Sequence, residues 1–136
     1  MALLQLDFEI SYDFQVIALS SNQKPHTISW EINRILESNL EIQDFYTLKS
    51  KGIIEEFKHY KSNSEHFTFD LLCNRSRTYK LVKELPTVDY FMRFYEEEST
   101  YSTPELIGLL RKSKHVQAIY KLDVQRLKSK QVFIFD

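Results

Sequence analysis

A chain of 136 residues that is 43% hydrophobic, with ten Phe, eight Tyr and one Trp, carries the apolar volume of one core and too much of it for disorder. Its two glycines, Gly52 and Gly108, leave little material for a glycine loop cradling a phosphate, and a formal net charge of -1 gives no long-range field toward nucleic acid or an anionic membrane. The single cysteine, Cys73, excludes an internal disulfide and fits a reducing compartment, and no stretch reaches the ~18 apolar residues of a bilayer span.

The chain opens MALLQLDFEI, with Asp7 and Glu9 inside the region that a signal peptide keeps apolar, so no signal peptide is expected and the cytoplasm is the expected location. Across residues 4–12, Leu4, Leu6, Phe8, Ile10 and Tyr12 alternate with polar residues, the two-residue period of a half-buried strand. Residues 13–20 put apolar side chains on both faces and either continue that strand centrally or turn into a short helix capped by Asp13. After the turn-rich SSNQKP, Thr27 caps an expected helix to about Ser38 whose stripe is Ile28, Ile32, Ile35 and Leu36.

Residues 40–51 show no clean period and read as a loop, with Gly52 as punctuation. Residues 53–60 and 66–74 read as a strand pair joined by KSNSE, with Phe67, Phe69, Leu71 and Cys73 sharing one side of the second strand. Residues 88–96 alternate with aromatics on both faces, which predicts a central strand entered after Pro86. Thr103, Pro104 and Glu105 read as N-cap, first-turn proline and first-turn acid of a helix that buries Leu106, Leu109 and Leu110. A last strand is expected over 115–122, then a short turn capped by Asp123, and VFIF at 132–135 as an edge strand or a docked tail. The order predicts an α+β fold: a single two-layer domain over 1–136, with a largely antiparallel sheet of about five strands and two main helices packed on one face.

The segment Val82-Lys83-Glu84-Leu85-Pro86-Thr87-Val88-Asp89-Tyr90 resembles the signature of the IPExxxVDY family of small bacterial proteins, with Val82 for the first Ile and Lys83 for the Pro. The opening LDFEISYDFQVIALSS, the stretch bearing Trp30 and Asn33, and the closing HVQAIYKLDVQRLKSKQVFIF look like the matching parts of that family, so the resemblance covers nearly the whole chain. It implies a cytoplasmic housekeeping protein and brings no catalytic residues to carry over.

The candidate site residues are Trp30, Asn33, Asp89, Tyr90, Arg126 and Lys128. Asp89 sits where a central strand buries its flanks, and a buried carboxylate needs a partner. The bland expectation for it is a backbone bond at the strand's entry or a pair with a basic residue of the C-terminal segment. Trp30 falls off the helix stripe with Asn33 one turn on, an arrangement that anchors a partner or covers the flank of the sheet. Arg126 and Lys128 belong to a basic last quarter that also holds Arg111, Lys112, Lys114, Lys121 and Lys130, preceded by an acidic knot at Glu96, Glu97 and Glu98, and its bland reading is a solvated face. His59, His66 and Cys73 recur every seven residues, yet His66 and Cys73 have opposite parity and face opposite sides of a strand, so no metal or cofactor is expected.

Without paired carboxylates or a nucleophile beside a base, the leading expectation is a non-enzymatic interaction or assembly module whose partner is another protein or a second copy in a homodimer. RNA binding through the basic C-terminal quarter is the first alternative, and an enzyme centred on Asp89 with a histidine and tyrosines is the second.

Overall fold

The structure, a computed structural model, describes residues 13–65 and 67–135; the expected strand over residues 4–12 and His66 lie outside them. Helix α1 is Pro25–Leu36 and α2 is Thr103–Arg111. The strands in chain order are β1 (Phe14–Ser20), β2 (Glu41–Ile42), β3 (Tyr46–Ser50), β4 (Ile53–Phe57), β5 (His59–Asn63), β6 (Thr68–Cys73), β7 (Tyr90–Tyr95) and β8 (Ala118–Lys121). Six of them form one sheet in the order β2-β5-β6-β7-β1-β8 with every neighbouring pair antiparallel, and β3 and β4 form a separate two-stranded hairpin. The fold is α+β with both helices on one face, as the pattern predicts; β2 carries the sheet past the expected five strands.

Of residues 13–20, Phe14–Ser20 are a strand rather than a helix, because β1 lies between β7 and β8 and needs apolar side chains on both sides. Ile17 and Leu19 point to the helices, joining Ile28 and Ile32 of α1, Leu106 and Leu110 of α2, and Leu71 and Met92 of the sheet. Val16 and Ala18 point the other way, into a second core with Leu72 and Phe91. β7 alternates in the same manner: Tyr90, Met92 and Phe94 meet the helices while Phe91 serves the opposite side. Burial of each such side chain contributes roughly 1.5 to 3 kcal/mol.

Among the described residues no helix covers the second face, which is closed by the β3–β4 hairpin and by irregular segments. Val82 and Val88 come from the segment between β6 and β7, Phe57 from the hairpin, and Val132 and Phe133 from the C-terminal segment, which docks as a 3-10 turn and tail rather than as an edge strand. A buried polar cluster fixes that tail. Arg93 donates from Nη1 to Phe133 O at 2.8 Å and Phe135 O at 2.7 Å, and its guanidinium lies 3.6 Å from the centroid of the Phe135 ring. Asp70 is the counter-ion, with Oδ2 at 3.4 Å from Arg93 Nη2 and Oδ1 at 2.7 Å from His59 Nε2. Tyr46 of β3 donates to Val132 O at 2.8 Å, so the hairpin and the tail hold each other down.

Several local expectations change. Residues 53–60 are two strands divided at Lys58: the first half pairs with β3, the second with β6, and one ladder cannot serve both sheets. Residues 40–51 hold β2 and β3, masked in the sequence because β2 is two residues long and β3 buries no face deeply. The hairpin turn is Lys51-Gly52 with φ of 51° and 81°, the pair of left-handed residues that a two-residue turn requires. Helix α1 starts three residues before the expected position, with Lys24 at the N-cap, because Pro25 sets the first-turn φ at the position where a missing N–H costs nothing. Ser102, not Thr103, caps α2: Glu105 N donates to Ser102 Oγ at 3.3 Å and Ser102 N donates to Glu105 Oε1 at 3.1 Å, a reciprocal capping box. Asp123 precedes the 3-10 turn Val124–Arg126 without a side-chain cap bond.

Candidate functional site

The segment from residue 74 to residue 90 forms a shaped rim at one end of the sheet, and Asn74 organises it. That side chain is fully buried and donates from Nδ2 to Val88 O at 2.7 Å and Leu85 O at 2.9 Å, while its Oδ1 accepts from Val82 N at 2.8 Å. The backbone closes the same loop, with Asn74 N donating to Asp89 O and Leu81 N to Asn74 O. The turn Ser76-Arg77-Thr78-Tyr79 projects from it, held by Ser76 Oγ, which accepts from Tyr79 N at 3.0 Å.

Glu84 at the crest of the rim accepts from Lys128 N at 2.6 Å, Ser129 N at 3.1 Å and Ser129 Oγ at 2.6 Å. Those bonds hold its carboxyl below the usual range, the Ser129 hydroxyl first among them. Asp89 reaches β1: its Oδ2 accepts from Ser21 N at 2.8 Å, and its Oδ1 accepts from Arg75 Nε at 3.0 Å with Nη2 at 2.9 Å. The backbone half of the bland expectation for Asp89 therefore holds, and its cation is Arg75 instead of a C-terminal residue, because the C-terminal segment lies over the second face. Tyr90 donates its hydroxyl to Gln23 O, and burial pushes that phenol up. The residues of the signature-like segment thus act as ties: Val82 and Val88 into the second core, Glu84 to the C-terminal segment, Asp89 and Tyr90 to the β1–α1 turn.

These ties border an open cleft of about 900 Å³, lined among others by Ser21, Phe45, Lys58, Arg75, Arg77 and Asp89. A second hollow of about 660 Å³ adjoins it and shares Phe45, Glu56 and Arg77 as walls, adding Ile54 and Glu55. A third, of about 210 Å³, shares Glu55 and adds Lys51, Ile53, Tyr79 and Lys83. The second and third lie between β4 and the 77–83 segment, and with the cleft they make a run of neighbouring hollows, the groove. Its apolar floor is open, with Ile54 61% and Phe45 51% exposed.

The thiol of the cleft is not available as a nucleophile. Cys73 lines the cleft but is buried, and that burial pushes its thiol up to about 12. His59 lies across the sheet on Asp70, and Cys73 belongs to the helix-side core, so the two face opposite sides. Among the described residues no three His, Cys, Asp or Glu side chains gather at metal-binding distance, and no helix is long and apolar enough to cross a membrane.

No protein-family model matches the chain, and neither a curated protein nor a solved structure is significantly similar to it.

Of the six residues singled out from sequence, Asp89 and Tyr90 line the cleft together and the other four do not. Trp30 stands 63% exposed on α1. Asn33 turns its amide inward: Oδ1 accepts from Leu40 N at 2.6 Å and Ser38 Oγ at 2.9 Å, closing the turn after α1. Arg126 pairs with Asp123 at 3.2 Å on the surface, and Lys128 touches the rim through its backbone. The acidic knot and the basic run do meet at one place, where Glu96, Arg111 and Lys121 line a common hollow beside α2. Sequence reading passed over Phe45, Ile54, Lys58, Arg75 and Arg77. The available signal was Ile53-Ile54 directly after a turn glycine, followed further on by the basic, hydroxyl-rich NRSRTYK.

Proposed function

We propose that the protein is a non-enzymatic interaction module that docks a partner protein along the groove between β4 and the 77–83 segment. The observation that carries this reading is the group of exposed apolar side chains lining neighbouring hollows along β4, Phe45 and Ile54 in one and Ile53 and Tyr79 in the other, with Arg77, Lys58 and Lys83 around them. An apolar floor with a polar rim is the anatomy of a recognition surface, and open apolar patches on a soluble domain mark such sites. The state of the cleft's own groups supports binding over turnover: Asp89 is saturated by Ser21 and Arg75, Tyr90 donates to a backbone carbonyl, and the Cys73 thiol is held protonated. The C-terminal basic run offers less for RNA, since Arg126 is paired with Asp123 and Arg111 bonds Ile119 O at 3.4 Å.

A photo-crosslinking residue placed at Phe45 in native extract is expected to give a discrete adduct, and one placed at Trp30 is not. The captured protein, identified and purified, is expected to bind wild type and to lose about tenfold or more in affinity for Ile54→Lys, since a buried lysine in an apolar contact is strongly disfavoured. Equal adducts at both positions, or unchanged affinity of Ile54→Lys, refutes the reading.

A further inference from the structure

We infer that the occupant of the groove is an extended partner segment that adds as a strand to the outer edge of β4, alternating apolar with acidic side chains; this rests on the docking role proposed above. Three observations converge on it. The first is backbone supply. β4 pairs with β3 alone, and among the described residues its opposite edge has no strand partner and no main-chain bond. An open edge of this kind is a template for an incoming chain, whose main-chain bonds give affinity whatever its sequence.

The second is shape. The two hollows beside β4 both draw walls from Ile53, Ile54, Glu55 or Glu56 on one side and from Arg77, Thr78, Tyr79 or Lys83 on the other, so the groove follows the strand. A chain laid along β4 passes Ile53 and Tyr79 in one hollow and Ile54 and Phe45 in the other. Side chains of a strand alternate faces, so Ile53 and Ile54 present an apolar contact on each side of β4 to the side chains of the guest.

The third is charge. With Arg75 and Asp89 set aside as a pair, Lys51, Lys58, Arg77 and Lys83 remain along the groove against Glu55 and Glu56. The chain as a whole is -1, so this excess of cations is local and selects an acidic guest over a basic one. Edge strands guard themselves with lysines against their own kind. Here the same cations become the reading head for carboxylates at the guest's intervening positions.

The test uses the full chain and a short fluorescein-labelled peptide that alternates Phe or Leu with Asp or Glu, followed by anisotropy. Two control peptides carry Lys in place of the acids, or N-methyl groups on alternate backbone amides. The acidic peptide is expected to bind, and each control to bind about tenfold or more weaker. The double variant Lys58→Glu/Arg77→Glu, both surface positions that leave the core intact, is expected to invert the preference toward the lysine peptide. Equal binding of acidic and lysine peptides overturns the charge argument, and indifference to N-methylation overturns strand addition. A concentration-dependent dimer that Ile54→Lys abolishes, with no peptide binding, assigns the groove to a second copy and also overturns the inference. If the peptides fail while the Phe45 adduct persists, this inference falls and the docking role stands; if the adduct is absent as well, both fall.

Discussion

Replacing Asn74 with alanine removes one side chain and takes the partner from two buried backbone groups and from a third, half-exposed one. Val82 N–H, Val88 C=O and Leu85 C=O each lose the partner that Asn74 supplies, at 2.8, 2.7 and 2.9 Å. A buried polar group left without a partner costs roughly 1 to 3 kcal/mol. Val82 and Val88 are buried, while Leu85 is half-exposed and regains water. Two full penalties and a small third give a loss of about 4 kcal/mol, a large share of the 5 to 15 kcal/mol typical of a domain. Urea denaturation at neutral pH measures the loss directly, and hydrogen exchange at the Val82 amide locates it. Asn74→Asp gives a sharper signature. It keeps the acceptor for Val82 but turns a charged oxygen toward two carbonyls, so its carboxyl is held protonated in the fold, with a pKa raised above the unfolded value. Stability contributed by such a group is present at low pH and lost as pH rises through the folded pKa. The aspartate variant is therefore expected to gain stability relative to the alanine variant on acidification. A loss under about 1 kcal/mol for Asn74→Ala, with Val82 protection unchanged, refutes the role assigned to this side chain.

Three further predictions follow from the same contacts. Glu84 is depressed by its Ser129 and Lys128 bonds, so its contribution is present above the unfolded pKa and lost as pH falls through the folded one; Glu84→Gln is expected to flatten the acid limb of the stability profile, read as Tm against pH between about 3 and 6. Arg93→Met leaves Phe133 O and Phe135 O without a donor and Asp70 without its guanidinium, and is expected to lose about 3 to 5 kcal/mol in urea denaturation, with protease cutting first within the 128–135 tail. The native Cys73 thiol is expected to resist a disulfide reagent at pH 8 and to react at the rate of unfolding; rapid reaction of the folded protein contradicts the burial that raises it.

How much the sequence disclosed depends on what each residue answers to. Strands β6 and β7 were legible because a regular alternation of side chains enters two cores; β1 was not, because apolar side chains on both of its faces leave no period to separate strand from helix. Helix α2 was legible because Thr103, Pro104 and Glu105 crowd its first turn, although the cap itself is Ser102. The hairpin was not, since β3 and β4 take their order from a two-residue turn and a few side chains such as Phe57 and Tyr46 rather than from a buried face. The site divides in the same way. Asp89 and Tyr90 stood out because a carboxylate between buried neighbours demands a partner, whereas Arg75 and Arg77 look like any polar turn until the fold brings Phe45 and Ile54 beside them. The buried pair of Asp70 and Arg93 was likewise invisible: each reads as the polar half of an alternation, and only the tail laid over them makes that half an interior.

The place of β1 in the sheet bears on how the chain is made. Its neighbours are β7 and β8, so the most apolar early strand waits for partners that begin at Tyr90 and Ala118. On a ribosome, Val16, Ile17, Ala18 and Leu19 stay without their final neighbours until most of the polypeptide has emerged. Closure over such a distance in sequence slows folding, and an incomplete chain exposes these apolar side chains to self-association.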